Sequence, residues 1–149
     1  MTQVSGSGIT LNVPDLWTDI TDALDARAPL TLARSGVDSG VLQFSPALYR
    51  KGTIPNPSAA DLLSMVQEFG SQQGFDSASD QLVETKALRV AAATFHDGPE
   101  RHIRVWYVSD GANVLLVTYV GSPRTLVEDL VDCERIVRSV SFTEAQVLQ

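Results

Sequence analysis

Lysine occurs only at Lys51 and Lys86, cysteine only at Cys133 and histidine only at His96 and His102 in a chain of 149 residues. The shortage of lysine leaves 11 basic against 18 acidic residues and a formal charge of -7. Without a Lys/Arg run the chain lacks the footprint that displaces counterions from phosphates, so nucleic acid is not an expected partner, nor is an anionic membrane surface. A single cysteine excludes an intrachain disulfide and a multi-cysteine zinc site. Cys133 falls in a helical pattern with Leu126, Leu130 and Val137, which marks it as a core thiol. No stretch approaches about 18 uninterrupted apolar residues, so membrane insertion is not expected. The start, Met1 to Gly8, has neither a basic n-region nor an apolar h-region, and the expected localisation is cytoplasmic. Gly6-Ser7-Gly8 precedes a strand and lacks a Walker lysine, and no G-x-S-x-G elbow is present, so no nucleotide, other cofactor or serine nucleophile is expected.

What is present is globular. Hydrophobic residues make up 44% and charged residues 19% of the chain, a composition that folds without staples. Length and the absence of a linker predict one domain over 1–149, with 1–7 and 143–149 as flexible tails.

Alternation from Ile9 to Val13, stopped by Pro14-Asp15, predicts a strand. Leu30–Arg34 and Gly40–Ser45 predict two more, joined as a hairpin through Ser35 to Ser39. Pro46 to Pro57 carries too much proline and glycine for a regular element and reads as a loop. Ser58 then caps a helix with Asp61 in its first turn, Leu62, Val66 and Phe69 on its apolar stripe, and Gly70 or Gly74 at its end. A second helix starts at Ser122-Pro123 and runs past Arg138, acidic early and basic late.

Between Gln81 and Val120 three strand-like runs are separated by Asp97-Gly98-Pro99 and Asp110-Gly111, which predicts a three-stranded meander. A two-residue type I′ turn at Asp110-Gly111 would pair Tyr107 with Val114 and Val105 with Leu116. The opposite face would carry Trp106 and Arg104 beside Val117 and Tyr119. A four-residue loop before His102 would add Ala91, Ala93 and Phe95 to the Trp106 face. Both faces are then apolar, so both must be covered.

The strand leading into Val13-Pro14-Asp15-Leu16-Trp17 and the closing Ile136-Val137-Arg138-Ser139-Val140-Ser141-Phe142 resemble the P-x-x-W and I-x-x-S-x-x-F/W signatures of the PsbP-like superfamily. The resemblance implies an α+β fold, a three-layer α/β/α sandwich around a central antiparallel sheet. That superfamily includes photosystem subunits, a Ran-binding transport factor, envelope lipoproteins and the DcrB-like adaptor chaperones of type VI secretion effectors, mostly binders. The lipoproteins carry an export signal and a lipidated cysteine at their start, which this chain does not show.

Candidate binding residues fall in two groups. Phe95, Trp106 and Tyr119, flanked by Arg104, form either an exposed docking patch or the wall of a ligand or lipid cavity, against the favoured reading that the covering layer buries them. Tyr49, Arg50 and Lys51 stand in the proline-rich loop, the most basic spot on the chain, which is either a binding loop or an irregular connector. The tip His96-Asp97-Gly98-Pro99-Glu100-Arg101-His102 invites a metal or catalytic reading. The alternation sends its two histidines to opposite faces, however, so no metal site is expected. Asp129 and Asp132 share a helix face with Arg135 at i+3 from Asp132, which reads as a surface ion pair. The expected function is non-catalytic protein binding, as adaptor, effector chaperone or immunity-type protein, with a small-ligand module as the alternative. A homodimer through a strand edge near Ile9 or Leu30 is also open.

Overall fold

The computed structural model describes residues 1–36, 40–122, 124 and 126–143. Strands β1 (Thr2–Gly6) and β2 (Ile9–Val13) form a hairpin, and β10 (Ser141–Phe142) pairs with the other edge of β2. Strands β3 (Trp17–Asp19), β4 (Leu30–Arg34), β5 (Val41–Ala47), β6 (Ser79–Thr85), β7 (Arg89–His96), β8 (His102–Ser109) and β9 (Val114–Gly121) form an antiparallel sheet in the order β3-β4-β5-β9-β8-β7-β6. Helix α1 (Ala59–Gln73) lies between β5 and β6, and α2 (Leu126–Arg138) between β9 and β10.

The start of α1 follows the sequence. The Ser58 side chain accepts the Asp61 N–H and the Asp61 side chain accepts the Ser58 N–H, closing a capping box that satisfies two otherwise unpaired donors. Of the two glycines available to end it, Gly74 does so, with a φ of 75° that a side chain would disfavour. Leu62 and Val66 pack against Ala91, Ala93, Phe95, Ile103 and Val105 on one face of the large sheet. The other face, with Trp106, Val108, Leu115, Val117 and Tyr119, is covered by Cys133, Ile136 and Val137 of α2 and by Ile9, Leu11 and Val13 of β2. A helix alone does not cover it; the small sheet shares the task.

Several expectations change. Residues 1–7 are not a tail but supply β1, because the β1 backbone finds partners along the whole of β2. Of the expected 143–149 tail, Thr143 donates its N–H to the Gly8 carbonyl, and 144–149 lie outside the described residues. Pro123 and part of the 35–39 turn lie outside them too. The expected loop from Pro46 starts later, since β5 continues to Ala47. The meander has four strands, because the run before His96 folds back at Lys86 to Leu88. Neither Ile9 nor Leu30 sits on an edge strand: β2 and β4 are each paired on both sides, and the edges of the large sheet are β3 and β6.

The two hairpins of the meander depart from expectation in different ways. At the β8–β9 connection Ser109 pairs with Val114 across a four-residue loop, so Tyr107 faces Leu116 and Val105 faces Thr118. That shift of two keeps every side chain on its expected face. At the β7–β8 connection His96 pairs with His102 across a five-residue loop, so Ala92 faces Trp106. That shift of one turns the strand over. Ala91, Ala93 and Phe95 therefore lie under α1 instead of beside Trp106.

Candidate functional site

The first group of candidate residues is interior. Trp106 and Tyr119 are 0% exposed, Phe95 3% and Arg104 5%. They are neither a docking patch nor a shared surface, and Phe95 stands on the opposite face from the other three. The Trp106 indole N–H donates to Glu134 Oε1 at 3.2 Å. Arg104 Nε donates to Glu134 Oε2 at 3.0 Å, while its Nη1 donates to the Asp80 carbonyl and to Thr94 Oγ1, each at 2.9 Å. The guanidinium carbon also lies 5.5 Å from the centre of the Trp106 ring. These bonds reach β6, β7 and α2, so the arginine ties elements together.

The carboxylates of α2 are the residues that the sequence reading placed wrongly. Asp129 is 0% exposed, and its Oδ2 accepts the Tyr119 hydroxyl and, at 3.2 Å, the Gly40 N–H. Arg34, reaching across from β4, lies 3.3 Å from Asp129, 3.8 Å from Glu128 and 3.9 Å from Asp132. Asp132 Oδ2 in turn accepts the Trp17 indole N–H at 3.0 Å. In place of a pair with Arg135 on a wet face, the partly buried Arg34 pairs with the buried Asp129 and the partly buried Asp132. The signal was available in the spacing, since Asp129 precedes the buried Cys133 and Ile136 by i+4 and i+7 and so shares their stripe. Burial pushes the Cys133 thiol well above its usual range, with the Asp129 charge adding to it, which leaves an inert core thiol.

The second group stays at the surface. The Tyr49 N–H donates to Asn113 Oδ1 at 2.7 Å, and its hydroxyl donates to the Gly52 carbonyl at 2.7 Å. The Asn56 N–H donates to the Gly111 carbonyl at 2.8 Å. Arg89 Nη1 clamps the far end through Asn56 Oδ1 at 2.7 Å and the Pro57 carbonyl at 2.8 Å. Between these anchors residues 50–55, including Arg50 and Lys51, are all exposed, with Ile54 at 53%. An open cleft of about 620 Å³ separates this loop from the β8–β9 loop, with Ile54, Arg89 and Asp110 among its walls.

A second cleft of about 400 Å³ opens between the end of α1 and the start of β6, where Phe95 and Phe75 meet Gln67, Gln81 and Asp76. The Phe69, Phe75 and Phe95 rings meet there at tilted angles, with centres 6.3 and 5.9 Å apart. Neither cleft is lined by Trp106 or Tyr119. Among the described residues no group of three His, Cys, Asp or Glu side chains converges as a metal site, and no helix is long and apolar enough to cross a membrane.

Solved structures resemble this arrangement. The Saccharomyces cerevisiae Ran-binding protein Mog1p superposes with a TM-score of 0.65 at 9% identity, over 98% of this chain and 96% of Mog1p. The chain shares its fold. LpqN, involved in cell envelope biogenesis of Mycobacterium tuberculosis, gives a TM-score of 0.59 at 19% identity, over 95% of this chain and 90% of LpqN. A Bacteroides thetaiotaomicron protein gives 0.61 at 13% identity over 93% of this chain, which spans only 46% of that protein's length. This mixed α+β, antiparallel fold is consistent with the PsbP-like resemblance in the sequence. No family model and no curated protein matches the chain.

Proposed function

We propose that the chain is a non-catalytic protein-binding protein, an adaptor, effector chaperone or immunity-type protein akin to the DcrB-like branch, and that it docks through the loop between β5 and α1. The observation that carries this reading is the construction of that loop. Residues 50–55 stand in solvent, while Tyr49 and Asn56 on either side are bonded to the β8–β9 loop. A segment anchored at both ends before contact loses less conformational entropy on binding than a free one. Arg50 and Lys51 beside the exposed Ile54 suit a partner surface that carries carboxylates around an apolar recess. That Mog1p is Ran-binding supports recognition as a use of this fold, although one fold hosts many functions. Helices on opposite faces of the large sheet suit the three-layer sandwich that the PsbP-like resemblance implies.

The test is affinity capture from the native host with the wild-type chain and with the double variant Arg50→Glu, Lys51→Glu. One dominant partner retained by the wild type and lost by the variant is the expected result. Equal capture by both would remove the loop from the proposal. A substrate turned over by the purified chain, with activity lost on replacing His96, would overturn the non-catalytic reading itself.

A further inference from the structure

The one-residue difference in the β7–β8 register changes the meaning of the chain's two histidines. Asp97 N–H donates to the Arg101 carbonyl at 3.1 Å, so residues 97 and 101 form a hydrogen-bonded pair. By alternation His96 and His102 occupy the next, non-hydrogen-bonded pair, where opposite side chains lie closest. The His96 carbonyl points away from β8 to accept the Asp76 N–H, as that position requires. The two rings meet edge to face, their centres 4.2 Å apart and their planes at 83°. His102 Nδ1 is buried and has no hydrogen-bond partner, whereas buried polar atoms are ordinarily paired.

We propose that His96 and His102 form a two-imidazole site for a late first-row divalent cation, Cu2+ or Zn2+, with water completing the coordination. Imidazole nitrogen is a preferred donor for these ions. Bonds of about 2.0–2.1 Å to one metal need nitrogens on adjoining rings, which a direct cross-strand pair supplies. Nearby cations are committed elsewhere: Arg101 to Asp97 at 2.8 Å, and Arg104 to Glu134, Thr94 and the Asp80 carbonyl. With two protein ligands in place of four, the affinity belongs in the micromolar range.

The experiment is titration of the tag-free chain with CuCl2 and ZnCl2 in a non-coordinating buffer, followed by calorimetry and, for copper, by electron paramagnetic resonance. Because the chain has two histidines, imidazole hyperfine structure reports on this pair alone. One ion per chain, two coupled nitrogens, and an affinity lowered by an order of magnitude in His96→Gln and in His102→Gln are expected. Unchanged affinity in both variants, or no saturable binding below millimolar metal, overturns the site. Should either variant lose its circular dichroism spectrum, imidazole 15N shifts of the wild type under Zn2+ decide: both rings must shift together, and a shift confined to one ring or absent from both overturns the site equally.

Discussion

The two faces of the seven-stranded sheet are closed by different means. Under α1 the contact is apolar, Leu62 and Val66 against small alanines, Ile103, Val105 and the edge of Phe95. Under α2 an apolar layer is crossed by polar contacts, with Asp129 accepting from Tyr119, Asp132 from Trp17, and Glu134 from both Trp106 and Arg104. Apolar packing is non-directional and rewards any arrangement that fills space. Carboxylates with named donors, one of them fully buried, meet those donors in one rotation of the helix only, and any other rotation leaves costly unpaired groups. The α1 face is therefore set by volume, and the α2 face by direction.

The largest expected effect is on the α2 face. Trp106→Ala removes a fully buried indole and one of the donors to Glu134, and should destabilise the chain by about 3–5 kcal/mol, read as a shifted urea midpoint. A loss well below that would mean that β2 and α2 collapse into the space, and that volume governs this face as well.

The volume argument for α1 is sharpened by Gly70→Ala. Glycine to alanine inside a helix ordinarily gains about 1 kcal/mol. Here the added Cβ would sit 2.3 Å from the Phe95 ring, which is 3% exposed and backed by Phe75 at 5.9 Å. Overpacking should win, with a net loss of about 1–3 kcal/mol in the same measurement.

The smallest effect separates the faces by pH. Both histidines lie at the end of the α2 face, and His102 is held below its usual 6.5 by burial and then by His96. A lowered histidine value means that the unfolded chain binds the proton more readily. Stability is then fully present above 6.5 and declines as pH falls through the lower folded value. Urea midpoints between about pH 7.5 and pH 5 should fall in the wild type and fall less in His102→Gln.

How much of this the sequence carried depends on what each signal fixes. Ser58, Asp61 and Gly74 define α1 because capping is local chemistry. The β8–β9 faces survived an incorrect turn because the error was even. The β7–β8 faces did not, because Asp97-Gly98-Pro99-Glu100-Arg101 marks a turn without stating whether four or five residues span it, and parity turns on that difference. The β6–β7 bend at Lys86-Ala87-Leu88 carries none of the residues that announce a turn. Of the candidate site residues, Tyr49, Arg50 and Lys51 are where loop reasoning put them. The patch built on Phe95, Arg104, Trp106 and Tyr119 is dissolved by burial and by that one register.

The small sheet has a consequence for the order in which the chain can fold. Strand β2 is the middle strand of three, and its partner β10 lies 133 positions downstream at the Phe142–Ile9 pair. A chain leaving the ribosome N-terminus first presents Ile9, Leu11 and Val13, each at most 2% exposed when folded, long before α2 and β10 exist to cover them. Vectorial synthesis thus leaves the first hairpin as a sticky, half-finished surface until α2 and β10 have been made, open to holdase capture or to pairing with another nascent copy.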